Sequence, residues 1–537
     1  MISLNLDRGV VGVISTLTLW SALSCIVYLT ALAVYRLTLH PLAKYPGPFF
    51  AKITDWYSVY QAYSGDRQLS FLRNHQKYGP VFRYGPNSLS FNTNSALKAI
   101  YGGKPNTEKS QFYSVFPPKK ELASIHSSID KAAHARKRRV LSHAFSENAM
   151  KGMEKYILDN IRSFCLKIGS QSALTDKSGA KEEWGNPLNM ADWCNYLTFD
   201  VMGELAFGKA FEMLEHEEER HVIKLVANAS WMHLILGTYP MIKTLGLNKV
   251  FFREINNKRM QYMAYSKKQF GERMKVGLET DRKDFFYYLL NARDPETGRG
   301  FTTPELLGES NLIIIAGSDT TSTALAASFF YLTHNTETLK KLTKEVLSTF
   351  SEVEEIHHGP ILNSCVYLRA VVDEAMRLSP PVGGMIPRRV LPGGIEIDGH
   401  YIPEGTDVGT AAYPLHHNAE YFDEPSQFIP ERWIPDSKPG VTQDSVSLAQ
   451  SAFTPFSIGS RGCIGKPLAY AEVMIALARV VFMYECRLAP GTTAGEGSPE
   501  LSWGRHDREE YQLKDAFTSF KDGPYVQFRE RVRATGE

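Results

Sequence analysis

The sequence predicts a mainly α-helical fold with a minor β part (α+β), preceded by one N-terminal transmembrane helix. Residues 9–35 carry no charged side chain, which is typical of a membrane span. Most of residues 131–292 follow a helical pattern, interrupted by a polar break at 175–186. Only short segments, such as 81–84 and 88–91 on either side of a Gly-Pro-Asn turn, have the composition of strands.

The N-terminal apolar stretch is long enough to cross a bilayer, because a helix rises about 1.5 Å per residue and the hydrocarbon core is roughly 30 Å thick. A cleaved signal peptide has a shorter apolar region and a small-residue cleavage site. A buried core helix is rarely apolar on every face over such a length. Residues 1–36 are therefore predicted to be an uncleaved anchor. Because Arg36 and Lys44 follow it, the positive-inside bias places the rest of the chain in the cytosol.

A proline-rich hinge at residues 37–50 is predicted to join the anchor to the remainder, since the three prolines between His40 and Pro48 exclude a regular helix. No linker divides residues 51–537, which we expect to form one domain. The formal net charge of +2 gives no electrostatic argument for nucleic acid binding. Six cysteines without a CxxC or Cys/His spacing predict neither a zinc site nor a disulfide framework.

A lone cysteine stands in the glycine-rich segment Phe456–Gly465, just before a predicted helix. Glycines permit a tight backbone turn, and a thiolate held in such a turn can accept backbone N–H bonds that tune its donation to a metal. Arg461 places a positive charge two residues from Cys463. Judged from this loop alone, a buried structural cysteine is an equally good interpretation.

A long helix is predicted to begin at Thr303 and to end near His334. Thr303 is a suitable N-cap, Pro304 suits the first helical position, and the carboxylate of Glu305 suits the first turn. At the rise of an α-helix, this element is about 45 Å long. We therefore expect it to be the central element of the fold.

The middle of this helix carries the polar sequence Ala316–Thr321, directly after an apolar run. Thr320 can donate a hydrogen bond back to the carbonyl of Ala316 and open the helix there. The resulting groove would suit a small ligand such as dioxygen, with Asp319 beside it as a source of protons. The alternative is a polar turn on a solvent-facing side, which the preceding apolar run argues against.

The segment around Cys463 resembles the haem-binding signature of the cytochrome P450 family, Phe-x-x-Gly-x-Arg-x-Cys-x-Gly, with every fixed position present. The resemblance extends over essentially the whole chain after the anchor. It implies the cytochrome P450 fold, with the long central helix over a heme b group. Cys463 is then the axial thiolate ligand of the iron, and Phe456 and Arg461 contact the haem, the arginine at a propionate. Asp319 and Thr320 resemble the family's acid–alcohol pair for oxygen activation.

The resemblance implies further contacts to the haem propionates. Arg138 matches a family position that reaches a propionate, and His134 stands one helical turn before it, where the family commonly has tryptophan. The role of His134 is therefore open. Arg388 is a further candidate, and Arg388 and its neighbour Arg389 are alternatives for the same contact.

Two other sets of charged residues are predicted to take no direct part in the reaction. Glu374 and Arg377 lie one helical turn apart, and family members join such a pair to a later arginine, here Arg432, in a buried structural triad. Near Arg138, a basic run comprises Arg136, Lys137 and Arg139. This run is either an ordinary solvated face or a docking surface for an acidic electron donor.

The resemblance implies a monooxygenase that inserts one atom of O2 into a lipophilic small molecule. Electrons would come from NADPH through a separate NADPH–cytochrome reductase, because the chain has neither a flavin domain nor a Gly-rich nucleotide loop. Similarity to filamentous-fungal members favours secondary metabolite biosynthesis. The resemblance and the anchor together imply a single-pass protein of the endoplasmic reticulum membrane with a cytosolic catalytic domain. Two alternatives are a haem-thiolate isomerase or dehydratase and a membrane-tethered haem sensor, neither of which needs an acid–alcohol pair.

The substrate pocket can be outlined only by analogy with the family. Residues 313–320, residues 381–387, the region around Phe112 and Phe517 are expected to line it. The apolar stretch 226–247 favours an entrance near the bilayer, with ordinary helix core as the alternative.

Overall fold

The computed structural model describes residues 2–170, 184–278 and 282–532, and the side chains from residue 12 onward. The predicted polar break at 175–186 lies mostly outside these residues. The helices of the described chain are α1 (Ile2–Thr38), α2 (Phe49–Ile53), α3 (Trp56–Ser64), α4 (Arg67–Tyr78), α5 (Asn94–Tyr101), α6 (Lys131–Ser142), α7 (Glu147–Ser170), α8 (Met190–Phe207), α9 (His221–Thr238), α10 (Met241–Thr244), α11 (Asn248–Phe251), α12 (Arg253–Val276), α13 (Phe285–Asn291), α14 (Thr303–His334), α15 (Thr336–Thr349), α16 (Pro360–Asn363), α17 (Val366–Leu378), α18 (Ala412–His416), α19 (Gln443–Ala452) and α20 (Lys466–Met483).

The strands are short and form small sheets at the edge of the helical body. They are β1 (Val81–Gly85), β2 (Ser88–Phe91), β3 (Thr107–Lys109), β4 (Leu188–Asn189), β5 (Arg388–Val390), β6 (Ile395–Ile397), β7 (His400–Ile402), β8 (Asp407–Thr410), β9 (Tyr484–Leu488), β10 (Lys514–Ala516), β11 (Thr518–Phe520) and β12 (Tyr525–Glu530). The largest sheet has the order β1-β2-β8-β5-β3 and is antiparallel except between β2 and β8. A second sheet has the order β4-β12-β9, and β6–β7 and β10–β11 are hairpins. The predicted strands around the Gly-Pro-Asn turn are confirmed as β1 and β2.

The N-terminal helix α1 projects from the body, and residues 12–38 are long and apolar enough to cross a membrane by length and composition. It ends two residues later than predicted, before Pro41, and α2 begins directly after Pro48. The hinge between them rests on the domain, because Leu42 and Tyr45 are buried and the Arg83 guanidinium donates to the carbonyl of Arg36 at 2.8 Å. The membrane helix therefore meets the largest sheet through a fixed connection.

The long helix α14 is confirmed as the central element, buried along most of its length and packed against α8, α17 and α20. The prediction of Thr303 as its N-cap is wrong by one residue. The Thr302 hydroxyl accepts from the Glu305 amide at 3.4 Å, and the Glu305 carboxylate accepts from the Thr302 amide at 3.0 Å. This reciprocal capping box needs the glutamate three residues after the cap, which selects Thr302.

The predicted charge triad is present and buried. The Glu374 carboxylate accepts from Arg377 at 2.8 and 2.9 Å and from Arg432 at 2.9 Å. Trp433 Nε1 donates to the same carboxylate at 3.0 Å, as does the amide of Ile429 at 2.9 Å. Burial alone would raise the pKa of Glu374, but the two guanidinium groups lower it overall. The triad therefore joins α17 to the segment that leads to α19.

Removal of the Glu374 charge should be strongly destabilising. Glu374→Gln keeps the side-chain shape but leaves two buried guanidinium groups without a counter-charge, so we expect a loss of about 3–5 kcal/mol in the free energy of unfolding. Chemical denaturation followed by circular dichroism measures this loss. Glu337→Gln is the matched control, because it breaks an exposed pair with Lys340 at 2.7 Å and should change stability by less than about 1 kcal/mol. Similar losses in both variants would contradict a structural role of the triad.

Candidate active site

A cavity of about 460 Å³ lies between the middle of α14 and the loop that contains Cys463. Its lining includes Ile313 and Thr320 of α14, Pro381 and Ile386 of the segment before β5, and Phe517 between β10 and β11. These residues confirm most of the predicted pocket outline. The Phe112 region lines the cavity as predicted, through Tyr113 and Phe116, while Phe112 itself lines a smaller cavity of about 250 Å³.

The loop of Cys463 is a tight turn that precedes α20. The amide of Cys463 donates to the carbonyl of Phe456 at 2.8 Å, and the amide of Gly462 donates to Gly459 at 3.0 Å. Gly459 has a φ of +73°, and a Cβ at this position would collide with the carbonyl oxygen of Tyr101. A glycine is therefore required for the loop to pass this close to α5.

Of the six cysteines, all of which the structure describes, only Cys463 lines the cavity. Its thiol is open to the cavity but withdrawn from bulk water, and this desolvation raises its pKa. The amide of Gly465 and the charge of Arg138 act in the opposite direction and favour the thiolate. The sulfur is therefore held at the cavity wall, where a metal could bind it and favour the thiolate form.

Three cations on the cavity wall are held by neutral groups. Arg461 donates to the carbonyls of Ser128 and Ile129 at 3.0 Å each, and Arg388 donates to the hydroxyl of Tyr113 at 3.1 Å. Burial, followed by repulsion from Arg388, lowers the pKa of Arg461 to about 10. No carboxylate of the described residues lies within ion-pair distance of either guanidinium.

The third cation, Lys109 of β3, was not predicted. Its ammonium donates to the carbonyls of Ile125 and His126 at 2.9 and 2.7 Å, and burial, with repulsion from Arg388 and Arg461, lowers its pKa. Buried cations without counter-charges are costly unless a ligand supplies the negative charge. The three side chains thus fit the two propionate carboxylates of a haem, and the thiol of Cys463 fits its iron.

The remaining predicted cofactor residues lie behind the wall. Arg138 donates to the carbonyl of Gly462 at 2.7 Å and so supports the loop of Cys463. His134 is buried on α6 and does not line the cavity, and burial, with repulsion from Lys109, lowers its pKa to about 3. Arg389 pairs with Asp407 at 3.0 Å, outside the cavity. Of the two neighbouring arginines, Arg388 is therefore the one that reaches the site.

The basic run on α6 is not a freely solvated face, because each of its three cations is paired within the chain, whereas docking of an electron donor stays a prediction. Arg136 pairs with Glu305, Lys137 is buried and pairs with Glu309 at 3.1 Å, and Arg139 pairs with Asp294 at 2.5 Å. These pairs form because the tertiary structure packs α6 against the start of α14 and the loop before it.

Thr320 is brought to the cavity wall as predicted. Its hydroxyl donates to the carbonyl of Ala316 at 2.6 Å, which leaves the lone pairs of Oγ1 as acceptors. Gly317 has a packing role besides, because a Cβ there would come within 2.7 Å of Met202 on α8. The glycine allows α14 and α8 to pack closely at the level of the site.

Asp319 is turned away from the cavity. Its Oδ1 lies 3.3 Å from Nζ of Lys521, which follows β11, and its buried Oδ2 has no partner among the described residues. Lys521 also donates to the side chain of Asn195 on α8 at 3.2 Å. The structure therefore does not place the acid directly beside the hydroxyl of Thr320, and Lys521 is a contact that the sequence pattern did not indicate.

The apolar stretch 226–247 is divided between two roles. Met232, Leu234 and Leu236 are buried in a cluster beneath α9, as the helix-core alternative requires. Val226 and His233 line the cavity. The stretch is thus partly core and partly cavity wall.

Comparison with known proteins agrees with the geometry. The cytochrome P450 family profile matches residues 46–501. The cytochrome P450 monooxygenase apf7 of Gibberella fujikuroi is 39% identical over 93% of this chain and 96% of its own length. AKT7 of Alternaria alternata is 38% identical over 94% and 95%, and atnE of Emericella nidulans is 38% identical over 93% and 94%. Both are also named cytochrome P450 monooxygenases. The family match, the Cys463 loop over a cavity and the central helix lead to one conclusion: the chain belongs to the cytochrome P450 family and is a monooxygenase.

Proposed function

We propose that the protein transfers one oxygen atom from O2 to a lipophilic small molecule in the biosynthesis of a secondary metabolite. The observation that carries the proposal is the thiol of Cys463, which opens into a largely apolar cavity shared with the hydroxyl of Thr320. The relatives from filamentous fungi support the metabolic role. Electrons come from NADPH through a separate membrane-bound NADPH–cytochrome reductase.

In this proposal Cys463 would hold the iron of heme b through its thiolate, and Phe456, which also lines the cavity, would contact the haem. Arg461, Arg388 and Lys109 neutralise the propionates from the cavity wall. When bound, the haem supplies the oxygen-activating redox chemistry, and thiolate ligation favours cleavage of the O–O bond. Because Arg138 holds the carbonyl of Gly462, it positions the loop and does not itself line the cavity.

Proton transfer is the role that we propose for the wall formed by α14, across the cavity from Cys463. Oγ1 of Thr320 can accept a hydrogen bond from a water molecule or a reacting oxygen in the cavity. Asp319 lies behind the wall, where its carboxylate is paired with Lys521. To relay a proton, the carboxylate must leave Lys521, take up a proton from water and pass it towards the cavity, so the lysine restrains the relay.

The first test concerns the ligand. Cys463→Ala removes the only thiol that lines the cavity, so the reduced, carbon monoxide-bound protein should lose the absorption band of thiolate-ligated haem together with all turnover. Cys365→Ala is the control, because this thiol is buried elsewhere. It should keep both the band and the activity. A thiolate band in Cys463→Ala would assign the ligand to another residue.

The second test concerns coupling. Thr320→Ala should keep its haem and bind substrate, but it should consume NADPH largely to form hydrogen peroxide, with at least a several-fold fall in product per NADPH. Thr333→Ala is the control, since this residue makes the same hydrogen bond, to Phe329 at 2.8 Å, in the same helix. An unchanged ratio in Thr320→Ala would contradict the proposed role of Thr320 in proton delivery.

The third test concerns topology. We propose a single-pass protein of the endoplasmic reticulum with its body in the cytosol. The natural glycosylation sequence at Asn228 is a poor reporter, because it lies in α9 with Ser230 buried. Gly491→Asn creates an acceptor with Thr493 on an exposed loop, where the φ of +76° suits asparagine. This acceptor should stay unglycosylated in native membranes, and a glycan on it would place the body in the lumen.

A further inference from the structure

Arg259 of α12 is a cation on the cavity wall that is separate from those near Cys463. Nη2 of Arg259 donates to the carbonyl of Phe116 at 3.0 Å. No carboxylate of the described residues lies within ion-pair distance of this guanidinium. Burial lowers the pKa values of Arg259, His233 and Lys243, and the charge of Arg259 lowers those of His233 and Lys243 further. Withdrawal of an unpaired cation from water is costly, so the site favours an anionic ligand.

A second donor stands on the same face of α12. Tyr262 follows Arg259 by three residues, and at this spacing two side chains lie one above the other on a helix. Tyr262 lines the cavity, and its hydroxyl is buried and has no partner among the described residues. Burial raises its pKa, so the phenol keeps its proton and can donate it in a hydrogen bond.

The hydrogen bond from Arg259 to the segment around Phe116 does not by itself explain why a buried arginine stands at this position. Lys243 already donates to the carbonyls on either side, Val115 at 3.0 Å and Pro117 at 3.4 Å. A guanidinium has five N–H donors in a planar fork, and the contact to Phe116 uses one nitrogen. The other donors match the geometry of a carboxylate, which arginine binds through two parallel hydrogen bonds.

The rest of this part of the cavity is aromatic. The ring of Phe116 lies 4.8 Å from His126, 5.1 Å from His233 and 5.3 Å from Phe517, measured between centroids. Burial lowers the pKa of His126 to about 3 and also lowers that of His233, so both imidazoles are neutral. An apolar ligand body is therefore accommodated by these rings next to the charge of Arg259.

We propose that the substrate is a lipophilic carboxylic acid, and that Arg259 and Tyr262 bind its carboxylate while the apolar body extends along the cavity. This inference rests on the proposed function, because it assigns the ligand of the same cavity. Charge pairing at Arg259 fixes one end of the substrate. The position that is oxidised is then set by the length of the body between the carboxylate and the Cys463 side of the cavity.

Calorimetric titration of the full-length holoenzyme with dodecanoate and with methyl dodecanoate tests the proposal. The two probes share an apolar body and differ in charge. The wild-type protein should bind dodecanoate at least ten-fold more tightly. Arg259→Met should bring the affinity for dodecanoate down to that for the ester and leave the ester unchanged, and Tyr262→Phe should lower only the affinity for the acid.

Lys258→Met is the matched control, since it removes a positive charge from the next residue, which pairs with Glu254 on the surface. It should keep the preference for the acid. Equal affinity of the wild type for both probes, or a preference that survives in Arg259→Met, would overturn the proposal. If Arg259→Met does not fold, Tyr262→Phe decides, and an unchanged affinity for dodecanoate there counts against the carboxylate site.

The measurement is independent of turnover. A protein that prefers the acid but forms no oxygenated product would refute the proposed reaction and keep the carboxylate site. A protein that oxygenates a neutral substrate and binds both probes equally would support the proposed reaction and refute the carboxylate site.

Discussion

The buried carboxylate of Glu374 is the interaction on which the geometry of the site depends. It fixes Arg377, whose Nη1 donates to the carbonyl of His416 at 2.8 Å. Burial, with repulsion from Arg377, lowers the pKa of His416 to about 3, so its ring is neutral. Nδ1 of that ring lies 3.1 Å from the Arg377 carbonyl, and Nε2 accepts from the amide of Thr454 at 2.9 Å. Since Thr454 stands two residues before Phe456, the charge network reaches the Cys463 loop through a single histidine.

This connection explains why a group without a chemical role can decide where the thiol lies. A buried ion pair is a poor source of net stability, because desolvation offsets most of the Coulomb attraction. Its geometry is nevertheless strict, since each lone pair and each N–H needs a partner in a fixed direction. The triad therefore contributes more to the position of α17 and of the loop than to the free energy of folding.

The pairing of charges separates structural from functional cations in this fold. Arg136, Lys137 and Arg139 find carboxylates at the start of α14 or in the loop before it, and they are neutralised inside the protein. Arg461 and Arg388 face the cavity and find only carbonyl or hydroxyl oxygens. A buried cation without a carboxylate partner is tolerated at such a site because a bound ligand supplies the missing negative charge.

The sequence by itself determined the apolar N-terminal helix, the central helix, the strands around the first turn and the tight loop of Cys463. These follow from local properties: hydropathy, capping residues and a spacing of glycine, arginine and cysteine within ten residues. The hydroxyl by itself does not distinguish Thr302 from Thr303 as the cap, whereas the spacing to Glu305 does, and the hydrogen bonds at the start of α14 agree with that spacing.

Only the tertiary structure decided which charges meet. Lys109 and Lys521 stand far from Cys463 and Asp319 in the chain, and no periodicity relates them. His134 and Arg138 share a helix face, yet the packing of α6 buries one and turns the other to the loop. Asp319 and Thr320 are neighbours in sequence, but successive residues of a helix point about 100° apart. The hydroxyl therefore enters the cavity while the carboxylate turns to Lys521, a separation that depends on how α14 is oriented against α8.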